Sequence, residues 1–525
     1  MPSTRFILAL LFVVCLLTPS CSKVNPISAQ ESQERSSSPT PTPTYTISPD
    51  EPPLNPNEAT PTAVEGVNER DPSVTATATV TENDPISSGR AQYELAVGFN
   101  YAQHHLDISE SIFYTNTTGE GLDSLCLVVE SNRYTGAFHL ASISEKDRGK
   151  LENYELAGNL LSIPLAPPLS PSEGINLSIE YAIELPEIPP PSNTTRPIPF
   201  GYTQRQSNLV DWYPYLPPYL PGKGWQVHDP WYYGEHQVYD MGDYQVNIHL
   251  LGANAEQLVI AASGPAKQEG TWLRYEMDNL RTFAWSVSPD YQVFSQTVGS
   301  VTVLSYAFPF TLPAGEAALE DTAKALVAYS QFFAPYTHTT LSVVEADFLD
   351  GMEYDGLFFL SRGFYNLYDG TPQGYLTAIA VHETAHQWWY GQVGNDQAIE
   401  PWLDEALCTY SELLYYEKFY PKLVDWWWGF RVKFYAPSGG INGSIYDYGG
   451  FRPYVNAVYL RGALFFADLR QLIGDEAFFS FLQDYVTQKA GGQATGQDFL
   501  TILEKHTPKD ITPLLITYFT IPSSE

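Results

Sequence analysis

Residues 381–411 read VHETAHQWWYGQVGNDQAIEPWLDEALCTYS and contain the pattern HExxH as His382, Glu383 and His386. Residues four positions apart lie on one face of a helix, so both imidazoles can point at one metal ion. Glu383 lies beside the first histidine, where its carboxylate can take a proton from a water that the metal activates. A mostly apolar run from Leu376 to Val381 precedes the motif and predicts a buried helix, in which these polar side chains need partners. The pattern alone also fits an ordinary amphipathic helix with two surface histidines, so the interpretation needs further residues.

A third ligand is the further residue that a catalytic zinc site requires, together with one open coordination position. Glu405 meets this requirement, since 405 − 386 = 19 and eighteen residues therefore separate it from His386. Gly391 and Gly394 are predicted to end the first helix, and Pro401 suits the first turn of a second helix that carries the glutamate. The sequence therefore predicts one Zn²⁺ per chain, and its predicted ligands are His382, His386 and Glu405.

Three motifs together resemble a known family. HExxH, the spacing of eighteen residues and the segment WLDEALCTY at 402–410 resemble the gluzincin aminopeptidases, the group of aminopeptidase N and leukotriene hydrolase. GMEY at 351–354 resembles the GAMEN strand of that family, and VYLRGA at 458–463 resembles its VYxKGA segment. The resemblance covers residues 92–525. Four positions depart from the family pattern: Tyr354 and Asp404 each replace Asn, Ala406 replaces Gly, and Arg461 replaces Lys.

The resemblance implies an α+β protein, in which an N-terminal all-β saddle domain precedes a thermolysin-like, mainly helical zinc peptidase domain. It implies removal of N-terminal residues from peptides, with Glu383 as general base and Tyr459 as donor to the developing oxyanion. Glu353, from the GAMEN-like strand, is expected to pair with the α-ammonium of the substrate. Two rivals stay open: a zinc endopeptidase of the same fold, in which Tyr354 alters capture of the amino end, and a non-enzymatic envelope binding protein on this scaffold.

The 525 residues are enough for two or three domains. Short alternating segments, such as Tyr93 to Asn100 and Ile175 to Glu184, predict the strands of the first domain. Helical periodicity from Gly315 to Phe333 and a strand from Leu341 to Glu345 are predicted in the second. The predicted boundaries are 1–21 for a signal peptide, 22–90 for a disordered tether rich in Ser, Thr and Pro, 91–310 for the β-saddle domain and 311–525 for the catalytic domain.

The first 21 residues are typical of a secretion signal. Arg5 precedes an apolar run from Phe6 to Leu17, which is too short to span a membrane in the usual way. Cys21 follows LTPS, a sequence similar to a bacterial lipobox, so we expect a lipoprotein on the outer face of a bacterial membrane. Cleavage by ordinary signal peptidase, with Cys21 incidental, is the alternative.

The net charge of the chain limits the classes of molecule that it is expected to bind. Sixty acidic residues against 27 basic ones give a net charge of −33, which would repel nucleic acid and anionic lipid and attract cationic groups such as the amino end of a peptide. A generally acidic surface in the source organism explains the same charge equally well. We therefore expect peptide substrates, no nucleic acid, and membrane contact only through the lipidated N-terminus.

Overall fold

The computed structural model describes residues 90–190 and 198–520. The predicted signal peptide, Cys21 and the predicted tether up to residue 89 lie outside the described residues. Within the described ranges, no helix combines the length and the apolar character that crossing a bilayer requires.

The first region is built on an eight-stranded sheet, which forms because its strands alternate buried apolar and more exposed side chains. In Ala91–Asn100, for example, Tyr93, Leu95, Val97 and Phe99 are buried. This strand runs antiparallel to the one that follows it and parallel to Gly242–Leu251. In spatial order the strands are Lys267–Glu269, Trp272–Leu280, Gly242–Leu251, Ala91–Asn100, His105–Thr115, Gly174–Glu184, Phe138–Glu145 and Gly149–Leu151.

Smaller sheets complete this region. A three-stranded sheet contains Leu122–Val128, Leu160–Leu169 and Glu155–Ala157, and a four-stranded sheet contains Val259–Ala262, Trp285–Ser288, Ser207–Leu209 and Gly201–Tyr202. Tyr219–Leu220 pairs with Gly224–Trp225. The predicted β-rich character of the first region is therefore confirmed.

A five-stranded mixed sheet begins the second region. Its order is Gln292–Val298, Val301–Ala307, Thr340–Ala346, Leu357–Ser361 and Gly351–Tyr354. The hairpin of residues 292–307 lies before the predicted boundary at residue 310, yet it pairs with the strand at 340–346. Gly351–Tyr354, hereafter the edge strand, lies at the end of the sheet.

Helices make up most of the rest. They are Leu312–Phe332, Arg362–Asn366, Tyr375–Ala385, Glu405–Phe419, Val424–Trp427, Phe451–Val455, Gly462–Ile473, Asp475–Lys489, Gly496–His506 and Thr512–Tyr518. Tyr375–Ala385 is hereafter the motif helix and Glu405–Phe419 the ligand helix. A short parallel pair, Gly394–Asn395 with Gln493–Ala494, ties the loop between these two helices to the C-terminal helices. The order of a β-rich region and then a helical one confirms the predicted α+β class.

The long helix Leu312–Phe332 braces both helices that carry the histidine motif and its partner glutamate. The hydroxyl oxygen of Tyr329 lies 3.1 Å from the carbonyl oxygen of Val381 and 2.9 Å from that of Ser411. The tyrosine is fully buried, and its single O–H lies between one carbonyl of each helix and can donate to either of them. The relative position of the two helices is therefore fixed from behind the site.

Candidate metal centre and active site

The motif helix is buried on every face, as the apolar run before it predicts. His382, Glu383 and His386 are all less than 5% exposed. The helix ends at Ala385 and His386 caps it, so it stops before the glycines at 391 and 394 that were predicted to end it. The prediction placed the end too late because a tight turn over residues 386–391, closed by a hydrogen bond from Gly391 N to His386 O (2.8 Å), already redirects the chain.

Glu405 opens the ligand helix. Pro401–Leu403 forms a 3₁₀ turn, and Asp404 then caps the helix by accepting a hydrogen bond from Glu405 N at 2.7 Å. A carboxylate at a helix N-terminus is stabilised by the exposed N–H groups there. Asp404 is fully buried, so no water competes for this hydrogen bond.

The two helices bring three potential metal ligands together. His382 Nε2 lies 3.2 Å and His386 Nε2 3.6 Å from Oε2 of Glu405, and the ligand atoms of the three residues all lie within 4.8 Å of one another. Burial alone would raise the pKa of Glu405, but its hydrogen bonds to the histidines hold that pKa far below its usual range. The arrangement gives two imidazole nitrogens and one ionised carboxylate converging on one point.

Glu412 orients the first of these histidines, and it lies seven residues after Glu405 on the same face of the ligand helix. His382 Nδ1 donates to Glu412 Oε1 at 3.0 Å, which leaves Nε2 directed at Glu405. The remaining lone pairs of Glu412 are occupied by Nε and Nη2 of Arg431, at 2.9 to 3.1 Å, and by Nε1 of Trp427 at 3.0 Å. Neither Arg431 nor Trp427 was assigned this role from the sequence, because nothing in their local pattern points to a partner on another helix.

Glu383 lies in the same cleft but makes different contacts. Its Oε2 atom is buried and has no hydrogen-bond partner within the described part of the chain. Its Oε1 atom lies against Gly351 of the edge strand, where a Cβ would come within 2.1 Å of it, so only glycine fits there. Burial raises the pKa of Glu383 to about 8, which makes it a group able to take and release a proton near neutral pH.

Glu353 projects from the edge strand into the cleft. It is 7% exposed, and its Oε1 accepts a hydrogen bond from Gln397 Nε2 at 3.1 Å. Burial raises the pKa of the Glu353 carboxyl. Tyr354, the next residue, is buried beside Phe359, with the ring centroids 6.0 Å apart. Gln397 was missed from the sequence, although it lies within the stretch between the two helices.

Tyr459 reaches the metal centre from the far side. Its hydroxyl donates to Glu405 Oε1 at 2.5 Å, and its ring is parallel to that of His382. Tyr459 lies inside a π-helical turn, Asn456–Arg461, between two α-helical segments. Such turns are frequent at functional sites because they shift one side chain out of the α-helical register.

A cavity of about 420 Å³ opens beside these groups. Glu353 and Gln397 lie in its wall, and seven of the other seventeen lining residues are aromatic, including Tyr239, Tyr354 and Tyr390. Its volume is that of a small-ligand pocket, and its wall mixes aromatic side chains with polar and charged ones. The arrangement can therefore hold a metal ion next to a proton acceptor, a hydroxyl donor and a carboxylate at the mouth of a pocket.

Curated aminopeptidases of one plant match part of this chain. Aminopeptidase M1-D of Oryza sativa subsp. japonica is 28% identical over 221 residues, which are 39% of this chain and 25% of the relative. Aminopeptidase M1-A of the same plant is 26% identical over 217 residues, 38% of this chain and 25% of the relative. The chain thus spans a quarter of the length of these curated relatives, and no family model matches it.

Solved structures match over most of the chain. An M1 zinc metallopeptidase from Deinococcus radiodurans is 18% identical, with a TM-score of 0.58 over 83% of this chain and 95% of its own. A mutant of it bound to a Tyr-Ser-Ala substrate matches with the same identity, TM-score and share of this chain, and over 96% of its own. The chain has the fold of the M1 zinc metallopeptidases. This M1 fold confirms the saddle and thermolysin-like architecture that the motifs implied.

Proposed function

We propose that this chain is a zinc-dependent aminopeptidase, which removes N-terminal residues from peptides. One observation carries the proposal: the ligand atoms of His382, His386 and Glu405 converge within 4.8 Å in a buried cleft that also holds Glu383 and Glu353. A structural zinc site would be closed by four protein ligands, whereas three leave a position for catalysis. The M1 fold and the aminopeptidase relatives support the same reading.

The residues at the centre fit zinc. Two imidazole nitrogens and one carboxylate oxygen form a donor set that zinc accepts, and the buried Oε2 of Glu383, which has no partner among the described residues, would be free to accept a proton. His382, His386 and Glu405 would hold the ion. When bound, zinc supplies Lewis-acid chemistry, which makes a water more acidic and a carbonyl more electrophilic.

The side chains around the centre would move the protons. Glu383 accepts the proton of the attacking water and later delivers it to the leaving amine. Tyr459 already presents its hydroxyl at Glu405 Oε1, so a small rotation would let it donate to the oxygen of the scissile carbonyl as negative charge develops there.

Capture of the amino end would make the enzyme an exopeptidase. Glu353 is buried and held by Gln397, so its carboxylate is fixed at the cavity mouth, where the α-ammonium of a substrate would lie. The first side chain of the peptide would then enter the cavity between the aromatic walls. Because Gln397 donates to one oxygen of Glu353, the second oxygen is left for the ammonium.

The experiment that tests this function measures zinc and hydrolysis together. We expect one zinc per chain, cleavage of peptides with a free amino end, loss of cleavage after chelation, and recovery when zinc is restored. The matched control is the same peptide with an acetylated amino end, which should be a poor substrate because it carries no charge for Glu353. Equal cleavage of both peptides would indicate an endopeptidase, and tight peptide binding without cleavage in the zinc-loaded protein would indicate a binding protein.

We also propose that the enzyme acts outside the cytoplasm, anchored to the outer face of a bacterial membrane. The support is the sequence of residues 1–21, with its basic start at Arg5, its apolar run and Cys21 after LTPS. The composition of residues 22–89 is poor in large apolar side chains, as expected for a spacer between the anchor and the catalytic body.

Lipid attachment can be measured directly. In cells fed labelled palmitate, we expect the label on the full chain and its loss in Cys21→Ser, because the acyl chains of a lipoprotein are attached through that cysteine. Cys126→Ser is the matched control and should keep the label, since Cys126 lies in the β-rich region. Equal labelling of Cys21→Ser and the wild type would exclude the anchor.

A further inference from the structure

A buried arginine from the first region holds the loop that follows the motif helix. Arg281 is 2% exposed. Its Nε donates to the carbonyl oxygens of Tyr390 (2.6 Å) and Gly391 (3.0 Å), its Nη1 to that of Tyr239 (3.0 Å) and its Nη2 to that of Gly492 (2.8 Å). One guanidinium therefore ties three separate segments together, and it does so through backbone carbonyls.

The space for this guanidinium is built into the loop. A Cβ on Gly394 would lie 2.5 Å from Cζ of Arg281, and a Cβ on Gly391 would lie 2.8 Å from Oδ1 of Asp355. Asp355 in turn accepts a hydrogen bond from Arg281 N at 2.7 Å. The two glycines that the sequence marked as helix breakers therefore make room for the arginine and its aspartate partner.

The backbone that Arg281 binds is strained at Tyr390. Tyr390 has φ = +125°, a region that residues with a Cβ rarely adopt and that persists only when the surroundings impose it. Arg281 holds its carbonyl oxygen, and Thr282, the neighbour of the arginine, holds its hydroxyl with Oγ1 at 2.9 Å. Adjacent residues of the first region thus restrain both the backbone and the side chain of one strained residue.

The strained residue adjoins a carbonyl that orients a predicted metal ligand. His386 Nδ1 donates to the carbonyl oxygen of Trp389 at 3.1 Å, so its Nε2 is the nitrogen that faces Glu405. The N–H of the same peptide group, between Trp389 and Tyr390, donates a hydrogen bond to Val393 O at 3.0 Å. The direction of the Trp389 carbonyl therefore depends on the backbone angles of Tyr390.

We propose that Arg281 is a positioning residue for the metal centre. By holding the backbone of Tyr390 at positive φ, it fixes the direction of the Trp389 carbonyl group, which orients His386. This inference rests on the metal site proposed above. Without the guanidinium, Tyr390 would relax toward negative φ and turn the preceding peptide group. His386 would then lose its acceptor and sample other ring orientations.

The test measures metal affinity in the full chain, because a residue that orients a ligand changes it. We expect Arg281→Met to bind zinc about tenfold to a hundredfold more weakly than the wild type in chelator competition. Glycine adopts positive φ without strain, so the double variant Arg281→Met/Tyr390→Gly should regain most of that affinity. A loss of general stability would give no such recovery. Arg205→Met, which removes a partly buried arginine that pairs with Asp347 instead, should leave zinc affinity unchanged.

Two results would overturn the inference. One is wild-type zinc affinity in folded Arg281→Met, and the other is no recovery on adding Tyr390→Gly. If Arg281→Met does not fold, Thr282→Val takes its place, with a smaller loss of zinc affinity that Tyr390→Gly again reverses, and wild-type affinity in Thr282→Val would count against the inference. A wild-type chain that binds no zinc would instead remove the proposed function, so the two failures are distinct.

Discussion

Replacing Glu383 with glutamine is expected to lower kcat by about a hundredfold to ten-thousandfold, the range that general acid–base catalysis contributes. Zinc content should stay at one ion per chain. Glutamine has nearly the same shape as glutamate, so it fits against Gly351 as before, but its amide cannot take up the proton of the attacking water. Metal analysis of the purified variant, together with kcat on a peptide with a free amino end, provides the measurement.

This variant also decides between two possible metal sites. The ligand atoms of Glu353, Glu383 and His386 also lie within 4.8 Å of one another, so proximity alone does not say which set binds. In the predicted set Glu383 is a base, and its loss leaves the ion in place. Glu405→Gln is the matched control and should lose the metal. The opposite pattern, with zinc lost in Glu383→Gln and kept in Glu405→Gln, would assign the metal to the other set.

The parts of the site that could be predicted are those set by short-range periodicity. His382 and His386 share a helix face because they are four positions apart, and the apolar run before them predicts burial. Glu405 follows from a ligand requirement and from the signals of a second helix. The edge strand carrying Glu353 was predicted from its motif. These are local properties, so one sequence is enough to recognise them.

The parts that were missed depend on contacts between distant segments. Arg281 has no local pattern that points to the loop after the motif helix. Nothing in the sequence around Arg431 indicates that it pairs with Glu412 of the ligand helix. Gln397 lies in a loop, where no periodicity says which way a side chain turns. The π-helical turn that holds Tyr459 was not predicted, because nothing in the sequence distinguishes it from an α-helix. These assignments need the tertiary structure, in which long-range packing decides the direction of each side chain.

The expected result for Glu353→Ala is a kcat/KM lowered by about tenfold to two-hundredfold for peptides with a free amino end. A buried carboxylate that pairs with an ammonium makes a charge-assisted hydrogen bond worth about 1.5–3 kcal/mol, and this range converts to that loss of rate. Zinc content should not change, because Glu353 is not among the predicted ligands. Glu269→Ala, on an exposed strand of the first region, is the matched control and should behave as the wild type.

Replacing Gln397, which donates a hydrogen bond to Glu353, gives a second test of how the amino end is bound. Gln397→Ala removes the donor that holds one oxygen of Glu353, so the carboxylate stays but its direction is no longer fixed. We expect a smaller loss of kcat/KM than in Glu353→Ala, confined to free-amine peptides. A glutamine that serves only packing would instead affect free and acetylated peptides alike.

The acetylated peptide separates the exopeptidase from the endopeptidase. It carries no ammonium, so the wild type should cleave it poorly and Glu353→Ala should lower that slow rate no further. Tyr354, in the place of the asparagine of the resembled family, is buried against Phe359 and has no amide to offer the substrate, so Glu353 and Gln397 are left to hold the amino end. If the wild type cleaves free and acetylated peptides equally well and Glu353→Ala changes neither rate, amino-end capture does not occur in this cleft, and the same zinc chemistry acts on internal bonds.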